Sequence, residues 1–171
     1  NRVIGMGGAL DSARFQYRIA EALACPGSDV DGMVIGGHSD KGMIPLTRLA
    51  RYRGVPISDF ISEERISELM EATKIGGATL TGMLGTSAWY APGAAVSTLV
   101  QSIVCDQKKM IPCSVFLEGE YGINDLCIGA PVILGKNGIE EIVKIELSEA
   151  DLKHLHESAE GVKKTNNLLA L

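Results

Sequence analysis

Hydrophobic residues recur along this chain with two different periods, and the period changes with position. From Asp11 to Ala24 the apolar residues Ala13, Phe15, Ile19, Ala20 and Leu23 fall at helical spacing. Asp11-Ser12 supplies the expected N-cap, and Cys25-Pro26-Gly27 the stop. Ahead of this helix, Val3-Ile4 is strand-like. The run Gly5-Met6-Gly7-Gly8 then predicts a softened turn, where another backbone or a ligand comes close. Met33-Val34-Ile35 has the pattern of a short buried strand. It breaks at Gly36-Gly37, delivers His38, and stays irregular through Asp40, Lys41 and Gly42.

Residues 44–57 fit either two short strands or an irregular helix, with Arg48, Arg51 and Arg53 on a solvated or interface face. A helix is predicted over Ser58 to Leu84, opened by Ser62-Glu63-Glu64-Arg65, with Ile61, Ile66, Leu69 and Met70 on its apolar face. Glycine weakens a helix interior by up to ~1 kcal/mol, so Gly76-Gly77 marks a kink or a close backbone approach. The small residues between Gly85 and Gly93 line a pocket or make a tight helix junction. Pro92 sits in the first turn of the next helix, which runs through Val96, Leu99, Val100 and Val104.

From Lys109 onward the period becomes two. Strands are expected at 110–117, 126–134 and 139–147, joined by a turn region at 118–125 and by the hairpin signal Lys136-Asn137-Gly138. Together they predict an antiparallel meander. Ser148-Glu149-Ala150-Asp151 is a capping box for a last helix over Ser148 to Leu171, with Leu152, Leu155, Ala159 and Val162 as its buried stripe. The fold class is therefore α+β, with long helices packed on a twisted antiparallel sheet.

Composition narrows the function. The chain has 171 residues, enough for one domain with a real core, and 46% of them are hydrophobic. A net charge of −5 argues against a nucleic-acid surface. No apolar run approaches the ~20 residues a membrane helix needs. An opening on Asn1 rather than Met points to a piece of a longer protein. Cys25, Cys105, Cys113 and Cys127 have no metal-ligand spacing, and their apolar neighbours predict buried, reduced thiols in a cytoplasmic protein. His154 and His156 point to different sides of a helix and cannot share a metal, so no metal site is expected.

Three polar residues carry the chemistry. His38, at the mouth of a strand, suits a proton donor or acceptor, though a packing loop histidine has the same local pattern. Asp11 and Arg14 share one helix face. They are either a surface ion pair or two functional groups, with Asp11 orienting an imidazole and Arg14 gripping a carboxylate through its two-pronged guanidinium. A hydrolase using Ser12 or Ser39 is disfavoured, because no nucleophile elbow surrounds either serine.

Leu10-Asp11-Ser12-Ala13-Arg14-Phe15, together with Gly36-Gly37-His38-Ser39-Asp40, closely resembles the C-terminal half of the lactate/malate dehydrogenase family. The likeness continues through Gly85-Thr86-Ser87-Ala88-Trp89-Tyr90-Ala91-Pro92, through Pro112 to Gly122, and through Gly129 to Gly135. The resemblance implies that His38 is the proton acceptor and donor, Asp11 its carboxylate partner, and Arg14 the ligand of the substrate carboxylate. It further implies Ala88 in the substrate wall, and Met6 and Pro92 beside the nicotinamide of NAD. Gly37 stands where lactate members usually have glutamate, which is similar to the lactate-dehydrogenase-like malate dehydrogenases. The implied activity is NAD-dependent interconversion of malate and oxaloacetate. The alternatives are a lactate dehydrogenase domain, or a domain that folds or self-associates without activity.

Residues 1–171 would be the substrate-binding and catalytic domain. The Rossmann NAD-binding domain, with the loop arginine that selects the substrate's second carboxylate, would lie outside them. A homodimer or homotetramer is the implied assembly. Two departures from the family pattern, Ser39 for glycine and a loop lengthened at Gly42, bear on how His38 is held.

Overall fold

Helix α1 spans Gly7–Leu23, so the chain turns helical before Asp11 rather than at it. The computed structural model describes residues 3–169. Of the glycines read as a turn, Gly7 and Gly8 form the first turn of α1 and Gly5 stands before it, and they permit close contact. A Cβ at Gly8 would stand 2.8 Å from the Pro112 carbonyl oxygen, and one at Gly5 would stand 2.7 Å from Ser114 Cβ. Asp11 is consequently an interior, buried residue, and the N-cap position falls to Met6, which makes no side-chain cap. Val3 and Ile4 form no strand; pairing there is the single Gly5–Ser114 bridge. Ala24 ends α1 in the left-handed conformation at φ 52°.

The next segment alternates short strands and 3-10 turns: β1 (Val30–Asp31), β2 (Val34–Gly36), β3 (Met43–Pro45), β4 (Arg51–Tyr52) and β5 (Val55–Pro56). Short strands, not an irregular helix, thus occupy residues 44–57. Arg53 there pairs with Asp29, and Arg48 and Arg51 donate to backbone carbonyls. Helix α2 (Glu63–Leu84) begins at its Ser62 cap, whose hydroxyl accepts from the Arg65 N–H, and runs unbroken through Gly76-Gly77. The segment before it, Ile57–Asp59, is a 3-10 turn rather than helix. Helix α3 (Tyr90–Val104) holds Pro92 in its first turn, where a missing N–H costs nothing.

Strands β6 (Lys109–Glu118), β7 (Asn124–Gly135) and β8 (Gly138–Ile142) form the predicted meander. Hairpin β2–β3 extends it into a five-stranded antiparallel sheet ordered β3-β2-β7-β6, with β8 also on β7. Strand β8 stops at Ile142, short of residue 147. The Tyr121 hydroxyl donates to the Val143 carbonyl and accepts from the Ile145 N–H, drawing the chain off the sheet. Helix α4 (Glu149–Asn166) starts from the Ser148 cap and ends before the predicted limit at 171, of which 170 and 171 lie outside the described residues. The thiols divide: Cys113 is buried, and burial pushes it up to about 12, while Cys105 and Cys127 are exposed.

Two apolar clusters meet at the β2–β3 hairpin. Ile35 and Ile44 pack with Leu117, Ile128, Leu134 and Leu155, between sheet and α4. Val34 and Met43 pack on the other side with Phe15 and Ile19 of α1 and Leu69 of α2. Removing a fully buried phenylalanine such as Phe15 costs about 3–5 kcal/mol. The hairpin joins β7 through the one pair Gly36–Gly129, where a Cβ on Gly129 would fall 2.5 Å from the Gly36 oxygen. Gly129→Ala should therefore destabilise the fold by about 1–3 kcal/mol, read as a lower urea midpoint. Gly27→Ala, at a glycine with open space around it, is the matched control and should leave the midpoint in place.

Candidate active site

The site is assembled where α1 lies across the end of β2. Strand β2 ends at Gly36, whose φ of 88° turns the chain out of the sheet and into the loop that carries His38. Within the loop, Ser39 accepts bonds from Gly42 through both its carbonyl and its hydroxyl. The serine and the extra glycine thus close the turn on themselves. On α1, Ser12 donates to the Gly8 carbonyl and accepts from the Val34 N–H at 2.9 Å, which fixes the helix on β2. Its neighbour Asp11 is thereby aimed at the loop.

His38 Nδ1 lies 2.7 Å from Asp11 Oδ2, and Arg14 Nη1 donates to Asp11 Oδ1 at 3.0 Å. One carboxylate therefore serves both partners, one oxygen each. The Asp11 side chain is 3% exposed, Arg14 22% and His38 51%. A carboxylate acceptor fixes the imidazole tautomer: Nδ1 carries the proton facing Asp11, and Nε2 is left for chemistry. The bond from Asp11 raises the His38 pKa above its ordinary value; partial burial and the Arg14 charge oppose the rise without cancelling it.

Two features of the site were not assigned from sequence. A Cβ on Gly7 would fall 2.9 Å from His38 Cγ, so the ring rests on the first turn of α1. A Cβ on Gly77 would fall 3.3 Å from both terminal nitrogens of Arg14, so α2 leaves room for the guanidinium at the glycine pair. The pair therefore marks close approach rather than a kink. A cavity of about 380 Å³ opens beside Arg14, walled in part by Gly76, Thr79 and Ala91. Ala91 lies on that wall, whereas Ala88, just before α3, and Pro92, in its first turn, do not; both are half-buried. Met6 is half-buried and packs against the sheet core. His154 is half-buried and His156 exposed, and each bonds a backbone carbonyl, of Lys41 and Tyr121 respectively. Among the described residues no cluster of His, Cys, Asp and Glu has metal-binding geometry, and no helix is long and apolar enough to cross a membrane.

The site is therefore a buried carboxylate shared by an imidazole and a guanidinium. The model of the lactate/malate dehydrogenase alpha/beta C-terminal domain matches residues 8–169, and the chain belongs to that family. Malate dehydrogenase of Bacteroides thetaiotaomicron is 62% identical over 169 residues, which are 99% of this chain and 54% of that protein. That of Flavobacterium johnsoniae is 59% identical with the same coverage. The structure of malate dehydrogenase from Salinibacter ruber superposes with a TM-score of 0.93 at 41% identity, over 96% of this chain and 54% of that one. A lactate dehydrogenase from Cryptosporidium parvum, solved with lactic acid and nicotinamide adenine dinucleotide, gives 0.93 at 38% identity, over 98% and 54%. The chain spans about half the length of the relatives it matches.

The sign of the His38 shift sets a test. A histidine whose folded pKa is raised stabilises the fold fully below its unfolded value of about 6.5, and that contribution is lost as pH rises through the folded value. An NMR titration should place the His38 midpoint above the ordinary value, and Asp11→Asn should bring it down. A wild-type midpoint at or below the ordinary value would contradict the pairing.

Proposed function

We propose that this chain is the substrate-binding and catalytic domain of an NAD-dependent malate dehydrogenase. It would work with a nucleotide-binding domain outside these residues and interconvert malate and oxaloacetate in the cytoplasm. The observation that carries the reading is Asp11 held between His38 at 2.7 Å and Arg14 at 3.0 Å. The family and its malate-named relatives support the substrate class. Unpaired cysteines among the described residues fit a reducing compartment. A homodimer or homotetramer belongs to the same proposal, supported by exposed Met83, Trp89, Val100 and Val104 on and between α2 and α3.

The chain's own share of an NAD site is small. Gly5, Gly7 and Gly8 pack against Ser114, His38 and Pro112, so this turn does not offer a phosphate cradle. The family resemblance would put Met6 and Pro92 beside the nicotinamide and Ala88 near the substrate, although Ala91 is the residue of that segment that walls the cavity beside Arg14. When bound, the reduced cofactor supplies the hydride that reaches the substrate carbonyl carbon. Arg14 binds the adjacent carboxylate and orients that carbon. His38, protonated and held by Asp11, donates its Nε2 proton to the carbonyl oxygen as the hydroxyl forms. In the oxidative direction neutral Nε2 takes the same proton back. The raised His38 pKa keeps the acid form present at higher pH and so favours reduction of oxaloacetate.

Steady-state kinetics on the intact enzyme test this reading. Oxaloacetate should be turned over in strong preference to pyruvate; the reverse preference would make the domain that of a lactate dehydrogenase. Arg14→Lys should lower kcat/KM about 100-fold, the loss expected when a charge-assisted, two-pronged contact worth ~2–3 kcal/mol becomes a point contact. Unchanged kinetics would demote Arg14 to a structural partner of Asp11.

A further inference from the structure

We infer that Ser158 is a positioning residue for His38, its one hydroxyl clamping both ends of the histidine loop to helix α4. The inference rests on the proton-transfer role proposed for His38. Ser158 is buried; its Oγ accepts from the Gly37 N–H at 2.9 Å and donates to the Gly42 carbonyl at 3.0 Å. Gly37 and Gly42 flank the exposed residues His38, Ser39, Asp40 and Lys41, so one oxygen ties the loop across its neck. Both glycines leave space for that oxygen: a Cβ would come within 3.1 Å of it at Gly37 and 3.0 Å at Gly42. A second tie comes from the same helix, where His154 Nε2–H donates to the Lys41 carbonyl at 3.2 Å.

The exposed loop residues have little packing of their own to hold them. Asp11 fixes the imidazole from α1, and Ser158 fixes the backbone that presents it from α4. The 2.7 Å contact between His38 and Asp11 has little slack. A drift of about 1 Å takes such a pair out of bonding range and misplaces the proton that Nε2 delivers. Replacing Ser158 by alanine keeps the volume nearly constant and leaves a buried donor and acceptor unmet, so the neck of the loop is free to shift. It removes no charge. Asp11 and Arg14 on α1 still face His38, as do Lys41 of the loop and Glu157 of α4 across a cavity of about 320 Å³. Any change in the His38 titration then reports position.

The test compares wild type, Ser158→Ala, Ser158→Thr and the control Ser67→Ala in the intact protein. The Ser67 hydroxyl bonds a carbonyl on the exposed face of α2. Two properties are measured: kcat and KM for oxaloacetate reduction by NADH, and the His38 NMR midpoint without substrate or cofactor. Ser158→Ala should lower kcat about tenfold and change KM by less than about twofold, because Arg14 stays on α1. Its His38 midpoint should move down towards the ordinary value. Ser158→Thr should recover most of both, and Ser67→Ala should match wild type. A Ser158→Ala enzyme with wild-type kcat and an unmoved midpoint overturns the inference, even if it melts at a lower temperature. Should that variant not fold, Ser158→Cys, with its weaker hydrogen bonds, is read in the same way. If wild type reduces neither oxaloacetate nor pyruvate, the functional proposal fails by itself. The His38 midpoint then still decides the positioning role: moved supports it, unmoved overturns it.

Discussion

A carboxylate side chain only 3% exposed sits inside helix α1 with two partners, and the rest of the domain is arranged so that both can reach it. Aspartate is seldom buried unless paired, because stripping water from a charge costs several kcal/mol. Arg14 comes from α1 itself, three residues on, whereas His38 reaches Asp11 only when α1 docks across the end of β2. Undocking α1 would therefore cost the carboxylate one of its two partners. The pairing of Asp11 and the packing of α1 on β2 are thus one constraint rather than two.

Glycine is the means by which the elements come close enough. Gly8 lets α1 touch the backbone of β6, and Gly7 lets it carry the imidazole. Gly77 lets α2 pass the guanidinium, and the Gly36–Gly129 pair lets two strands meet with no side chain between them. Each such residue gives up roughly 0.5–1 kcal/mol of chain entropy relative to alanine. Their concentration around one carboxylate is consistent with a domain that gives up some stability to set a few side chains in place.

Long elements with one clear period were legible in the sequence. The meander β6-β7-β8, the caps at Ser62 and Ser148, and the hairpin at Lys136-Asn137 follow from local chemistry alone. So does the proximity of Asp11 and Arg14 on one helix. What the sequence could not supply was the partner across space. Gly7 and Gly8 looked like a turn because glycine disfavours helix, and only the Pro112 carbonyl opposite explains why a helix starts there. Tyr121 ends β8 from more than twenty residues away. Ser158 is separated from Gly37 by 121 positions and from Gly42 by 116, with no motif to link them. The meeting of Asp11 with His38 came from family resemblance, since the loop alone favoured a packing histidine.

Exposure across the three polar residues rises from Asp11 through Arg14 to His38, at 3%, 22% and 51% for their side chains. That gradient matches a division of labour. The group with two partners is innermost, the group proposed to bind the substrate carboxylate is intermediate, and the group proposed to exchange a proton is outermost. It also bears on a domain that spans about half the length of its relatives. The Asp11–His38 bond, which raises the His38 pKa here, works against a half-solvated ring. Covering the open side of the imidazole with another protein surface and a substrate would remove water on one side and lower the local dielectric. Burial alone would push the pKa down, while the same change strengthens the attraction to Asp11. On the proposed function, the carboxylate partner would therefore matter most once the imidazole is covered, because burial without it would favour the neutral ring.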